Sequence, residues 1–73
     1  MNVKASFVVT EFKGVVYISA RAIDEINVQL IMERLGGGGH MNIAGAQLEG
    51  RTTTEVVELI KKTIKEMTEE GDI

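Results

Sequence analysis

Apolar and polar residues alternate along the first third of the chain, which is the pattern of half-buried β-strands. Residues 3–10 are rich in β-branched and apolar side chains, and residues 15–21 repeat the pattern after a break. The Lys13-Gly14 pair in that break favours a tight turn between two strands. The sequence therefore predicts a β-hairpin in this part of the chain.

The second strand of the hairpin should have one buried and one exposed face, because successive side chains of a strand point to opposite sides. The face expected in the core carries Val16, Ile18 and Ala20. The opposite face carries three polar groups in succession, from Tyr17, Ser19 and Arg21. We expect Tyr17 to pack within the sheet, which leaves Ser19 and Arg21 as the first candidates for a working surface.

Two later segments have the spacing of amphipathic helices. The apolar face of the first consists of Val28, Ile31, Met32 and Leu35. Asn27 or Asp24 can cap its start, and Gly36 is placed to end it. In the second segment, Thr52 and Glu55 form a capping box. The buried face that follows this box consists of Val56, Leu59, Ile60, Ile64 and Met67.

Between the two helices, residues 43–48 are small and apolar and predict a third strand. The order of elements is then strand, strand, helix, strand, helix. We therefore expect one small α/β domain, residues 1–73, in which both helices pack on one face of a short mixed sheet.

Composition limits the function of such a small domain. The 73 residues include no cysteine, so no disulfide supports a small core, and help from a neighbouring domain or from a homodimer partner is expected. The absence of cysteine fits a reducing compartment such as the cytoplasm. No apolar run approaches the about 20 residues that a membrane span needs. The net charge of −3 argues against broad nucleic-acid binding, so any anion needs a local site.

The most unusual segment is the run Gly36–Gly39, which His40 follows directly. Ordering four glycines costs much backbone entropy, and close approach of the backbone to a ligand is a reason to keep them. Their N–H groups can converge on an anion such as a phosphate. The Walker loop and the dinucleotide-binding motif are excluded, because Met41 and Asn42 come next. Composition is equally compatible with a flexible hinge that leaves His40 in solvent.

No catalytic or metal-ligating residue is assigned. The chain has one histidine and no cysteine, and no carboxylate stands at ligand spacing from His40. Its serines, Ser6 and Ser19, lie in no recognisable nucleophile motif.

The chain resembles the DHH-associated C-terminal domain (DHHA type) of the DHH superfamily, most closely the version in GdpP-type cyclic-di-AMP phosphodiesterases. The resemblance covers about residues 2–67 and rests on three stretches, Ile18-Ser19-Ala20-Arg21, Ile26-Asn27-Val28-Gln29, and Met32-Glu33 with Leu35 running into Gly36–His40. Ala22 departs from the pattern, since the family usually has a serine there.

The resemblance implies a division of labour. A separate DHH domain would hold two Mn²⁺ ions and cut the phosphodiester bond, so this chain would be a non-catalytic, substrate-binding fragment of a larger enzyme. It would bind a cyclic dinucleotide, expected to be cyclic-di-AMP, or a short oligonucleotide, and pack against the DHH domain. The implied contact residues are Gly36, Gly37, Gly38, Gly39, His40 and Arg21, with Ser19 and Asn27 as further candidates.

Two alternatives stay open at this point. The chain would be a module of a nanoRNA or single-strand exonuclease, or a non-catalytic RNA-binding or dimerisation domain like the one appended to alanyl-tRNA synthetases. In the leading interpretation, the resemblance suggests a membrane-anchored parent whose catalytic parts face the cytoplasm.

Overall fold

The structure, a computed structural model, describes residues 4–23 and 26–71. Its elements in chain order are β1 (Ala5–Phe12), β2 (Val15–Ala22), α1 (Val28–Arg34), β3 (Gly38–Gly39), β4 (Ile43–Glu49) and α2 (Thr53–Glu70). The predicted order of strands and helices is confirmed. One element is additional, because part of the glycine run forms the short strand β3.

The four strands lie in the order β1-β2-β4-β3, and every pairing is antiparallel. The α/β class is confirmed, but the sheet of the described residues is antiparallel where we expected a mixed one. The reason is the path between β2 and β4. Helix α1 carries the chain away from the end of β2, and β3 carries it back to the same end. Strand β4 therefore starts where β2 stops, with Ile43 opposite Arg21.

The hairpin of β1 and β2 turns through Lys13 and Gly14, which have φ angles of 50° and 80°. Two positive φ angles in a two-residue turn match the twist of the flanking strands. The Gly14 N–H also donates to the Glu11 carboxylate at 2.9 Å. The predicted hairpin is thus confirmed within the described residues.

Both helices pack on one face of the sheet, as predicted. The buried side chains of that face are Val16, Ile18 and Ala20 of β2 and Ala44 and Ala46 of β4. The helices cover them with Val28, Ile31 and Met32 of α1 and Val56, Ile60 and Met67 of α2. No described element covers the opposite side of the sheet. We call that side the open face.

The helix caps follow the sequence closely. Asn27 Oδ1 accepts the Leu30 N–H at 3.2 Å and caps α1; Asp24, the other candidate, lies outside the described residues. At α2, Thr52 Oγ1 accepts the Glu55 N–H at 3.1 Å, and Glu55 Oε1 accepts the Thr52 N–H at 2.8 Å. The predicted capping box is confirmed.

Removing this cap should destabilise the domain. Thr52→Ala leaves the Glu55 N–H without its acceptor and should lower the free energy of unfolding by about 1 kcal/mol, measured by urea denaturation. Thr54→Ala, an exposed threonine in the first turn of the same helix, is the matched control and should change it by less than about 0.5 kcal/mol. Equal losses in the two variants would contradict the capping role.

The capping box should also make stability depend on pH. The N–H of Thr52, and then its hydroxyl, stabilise the Glu55 carboxylate and lower its pKa. A lowered folded-state pKa contributes stability above the unfolded-state pKa, and this contribution is lost as the pH falls through the folded-state value. Glu55→Gln should therefore reduce the acid-induced loss in urea midpoints. Glu69→Gln controls for the removal of one negative charge from the helix, and identical acid profiles for both variants would contradict the prediction.

Candidate functional site

The register of the sheet brings Arg21 and His40 into one row across the open face. Directly opposed residues of antiparallel strands share a face, and Arg21 stands opposite both Ser6 and Ile43. The His40 N–H donates to the Ile43 carbonyl at 2.7 Å, which extends the row to the glycine segment. We call Ser6, Arg21, Ile43 and His40 the arginine row.

Arg21 and His40 flank Ile43 and are both exposed. Their backbones are two strand spacings apart, about 10 Å, so both side chains can reach one group held above Ile43. Among residues 4–23 and 26–71, no carboxylate forms an ion pair with either of them. A concavity of about 380 Å³ lies beside Arg21, with Ser6, Asn42 and Ile43 in its wall. The arrangement is suited to an external anion.

The next row along the strands has glycine at two of its four positions. It contains Val8 of β1, Ser19 of β2, Gly45 of β4 and Gly38 of β3, in that order across the sheet. We call it the glycine row. Beside it lies a groove of about 520 Å³ lined by Tyr17, Ser19, Gly36, Gly37, Gly45 and Gln47, with backbone from Ile18 and Ala46. Ser19 lies two residues from Arg21 on the same face of β2, so it is next to the arginine row, as predicted from the sequence.

The amides of the glycine run are used differently from our expectation. The Gly36 N–H donates to the Glu33 carbonyl at 3.1 Å, and the Gly37 N–H donates to the Met32 carbonyl at 2.8 Å. The carbonyls at the end of α1 need partners, and the first two glycines supply them. These two N–H groups are therefore not free to bind an anion. The bonds also tie the run to α1, which disfavours the hinge interpretation.

One amide of the run faces outward. The bond between His40 and Ile43 sets the alternation of the ladder, so the next pair, Gly39 and Ala44, is the one without mutual hydrogen bonds. Strand β3 is at the edge of the sheet, and the Gly39 N–H consequently points away from β4. Gly39 can therefore donate to a ligand at the edge of the arginine row.

Packing explains some of the glycines and leaves Gly38 unexplained. A Cβ on Gly37 would lie 2.0 Å from the Gly45 carbonyl oxygen, and one on Gly39 would lie 2.6 Å from Ala44 Cα. A Cβ on Gly38 would meet nothing within 4 Å, and its φ is not positive. The fold of the described residues does not require glycine at position 38. Close approach of a ligand to the open face is a reason for its lack of a side chain.

Asn27 is not part of either row. Its side chain caps α1 through Leu30, so the structure gives it a structural role. Gln47 and Gly45 were not identified from the sequence, because their place beside Tyr17 and Ser19 depends on how β4 pairs with β2. The alternation of residues 43–49 was the only sequence signal that these two share a face.

The described residues of this chain do not fit a Mn²⁺ centre of the kind that the resemblance implies for the DHH domain. Within the described part of the chain, no group of three or more histidine, cysteine, aspartate or glutamate side chains could hold a metal ion. The placement of Mn²⁺ in another domain stays a prediction. No helix in residues 4–23 and 26–71 is long and apolar enough to span a bilayer.

Comparison with known proteins gives a family and several relatives. The profile of the DHHA1 domain matches residues 1–70. The cyclic-di-AMP phosphodiesterase GdpP of Geobacillus thermodenitrificans is 47% identical over 71 residues, which are 96% of this chain and 11% of the relative. The cyclic-di-AMP phosphodiesterase PdeA of Listeria monocytogenes is 52% identical over 55 residues, 74% of this chain and 8% of the relative.

A third relative has a different activity in its name. The A-adding tRNA nucleotidyltransferase of Aquifex aeolicus is 36% identical over 62 residues, 84% of this chain and 8% of the relative. The chain thus spans about a tenth of the length of the relatives it matches.

Two alanine substitutions should separate the glycines required by packing from the one that is not. Gly37→Ala pushes a Cβ against the backbone of β4 and should cost about 1–3 kcal/mol of unfolding free energy. Gly38→Ala places its Cβ in open space and should stay within about 1 kcal/mol of the parent, since glycine-to-alanine changes at permitted positions are mildly stabilising. Thermal unfolding of both variants is the measurement. Comparable destabilisation would mean that Gly38 is also needed by the fold.

Proposed function

The chain belongs to the DHHA1 domain family, and from this membership and the geometry of the open face we propose that it is the nucleotide-binding module of a DHH-family phosphodiesterase acting on cyclic-di-AMP. The observation that carries the proposal is the arginine row. Arg21 and His40 flank one exposed position, next to a row in which Gly38 and Gly45 have no side chains.

In this proposal the arginine row holds a phosphate of the nucleotide. The guanidinium of Arg21 is permanently charged, and its fork of N–H donors matches two phosphate oxygens. His40 donates a ring N–H to the same phosphate, whereas the outward Gly39 N–H points away from β4 and can donate only to a part of the ligand beyond the sheet edge. Because Gly38 has no Cβ, the ribose-phosphate backbone can lie close to the sheet beside these groups.

The charge of the chain supports a local site over a general electrostatic attraction. The net charge is −3, so the field of the whole domain does not favour a dinucleotide. Binding would depend on directed hydrogen bonds from one face, and the isolated chain should bind weakly. For tight binding, a second protein surface, here called the second wall, has to cover the ligand on its side away from the open face.

We assign that second wall to the DHH domain of the parent protein. The relatives are about ten times longer than this chain, which leaves room for such a domain. Mn²⁺ in the DHH domain would supply the hydrolytic chemistry. The contacts proposed for this chain do not involve the metal. The reducing compartment expected from the lack of cysteine makes the cytoplasm the proposed location. A homodimer stays a prediction.

A second candidate is binding of an RNA end. The similarity to a tRNA nucleotidyltransferase favours it, because the same phosphate contacts would suit a terminal nucleotide. A module of a nanoRNA or single-strand exonuclease would bind the phosphate of an oligonucleotide end with the same residues. The affinity for a short oligoribonucleotide relative to cyclic-di-AMP separates these candidates from the leading one.

Titration of the ¹⁵N-labelled chain with cyclic-di-AMP and its linear dinucleotide product tests the proposal. We expect the largest amide shifts at Arg21 and Gly38–His40. Arg21→Ala and His40→Ala should each weaken binding about tenfold or more, because each removes hydrogen bonds to a charged group. Lys65→Ala removes an exposed cation from α2 and should leave the affinity unchanged. Shifts confined to the helices, or equal losses in all three variants, would contradict the proposed site.

A further inference from the structure

The groove beside the glycine row carries two polar side chains that the phosphate contacts do not use. Tyr17 and Gln47 stand directly opposite each other on β2 and β4, on the open face. Tyr17 was expected to pack within the sheet, but 36% of the residue is exposed. Directly opposed side chains start about 5 Å apart at Cβ, so one flat ligand can contact both. This pair forms the end of the groove remote from the arginine row.

Neither side chain has a partner within the described part of the chain: the Tyr17 hydroxyl and the Gln47 amide form no hydrogen bond there. The Tyr17 ring offers a face on which a base can stack. The Gln47 amide offers one donor and one acceptor in a plane. These are the groups that pair with N7 and N6 of adenine.

The spacing along β2 matches the length of a nucleotide. Arg21, Ser19 and Tyr17 point to the same face at intervals of two residues, about 7 Å each. A phosphate at Arg21 would place the ribose over Ser19 and Gly45, where side chains are smallest. The base would then lie over Tyr17 and Gln47. The nucleotide would thus lie along the groove with its phosphate at Arg21, its ribose over Ser19 and its base over Tyr17.

We propose that the groove between Tyr17 and Gln47 is a subsite for an adenine base, with Tyr17 stacking on the ring and Gln47 pairing with its N6–N7 edge. The proposal rests on the phosphate site proposed above and adds the residues that recognise the base of the nucleotide. Guanine presents two acceptors, O6 and N7, at the corresponding edge, so the Gln47 amide satisfies only one of them. The chain should consequently prefer adenine nucleotides.

Four ligands separate the base contact from the phosphate contact: AMP, GMP, ribose 5-phosphate and adenosine, each titrated into the labelled 73-residue chain. AMP should bind about fivefold or more tightly than ribose 5-phosphate, since stacking on an aromatic ring contributes that much or more. AMP should bind about fivefold or more tightly than GMP. Adenosine alone should shift the amides of Tyr17 and Gln47.

Variants of the two groove residues sharpen the test. Tyr17→Thr keeps a strand-favouring residue and should lower the affinity for AMP about fivefold or more, because the stacking contact is lost, whereas Tyr17→Phe should keep most of the affinity. Gln47→Arg should reverse the preference in favour of GMP, because arginine pairs with O6 and N7 of guanine. Thr10→Ala, opposite Tyr17 on β1 and outside the groove, is the control and should bind AMP as the parent does.

The outcomes separate this inference from the function it rests on. Equal affinities for AMP and ribose 5-phosphate, with shifts at Arg21 and His40, would overturn the adenine subsite and leave the phosphate site standing. Amide shifts at Tyr17 and Gln47 with adenosine, without phosphate-dependent shifts at Arg21, would overturn the phosphate site and leave the adenine subsite standing. The subsite would also be overturned if Tyr17→Thr kept the parent's preference for AMP over ribose 5-phosphate and Gln47→Arg kept the parent's preference for AMP over GMP.

Discussion

The antiparallel pairing of β2 with β4 determines the surface on which every proposed contact depends. It places Arg21 opposite Ile43, Ser19 opposite Gly45, and Tyr17 opposite Gln47. A shift of β4 by one residue would move Ile43, Gly45 and Gln47 to the other face of the sheet. The register is held by the buried face, where the alanines of β4 lie under α1 opposite the apolar residues of β2. Core packing on one side thus fixes the chemistry on the other.

The glycine run has two roles that the sequence does not separate. Its first half closes α1, and the contact of Gly37 with the backbone of β4 brings the helix end against the sheet. Its second half forms the edge strand that carries His40 to the arginine row. Only Gly38 has no structural reason within the described residues to be glycine. The segment is therefore mostly a scaffold that positions a small number of contact groups.

Local patterns predicted the local elements well. The hairpin, the Asn27 cap and the Thr52–Glu55 capping box follow from short-range spacing, and the structure confirms them. What depends on distant pairing could not be predicted. The antiparallel direction of β4, the strand β3 and the use of the Gly36 and Gly37 amides all arise from the return path after α1. The site residues on β4, above all Gln47, could not be predicted for the same reason.

The central claim is that Arg21 and His40 hold the same phosphate, and a double-mutant cycle tests it most directly. The affinity of the chain for the linear dinucleotide would be measured for the parent, for Arg21→Ala, for His40→Ala and for the double variant. Two side chains that share one group should couple, so the double variant should lose less than the sum of the single losses by about 0.5 kcal/mol or more. Additive losses, as expected for Arg21 combined with Lys65, would show that the two residues do not act on one phosphate.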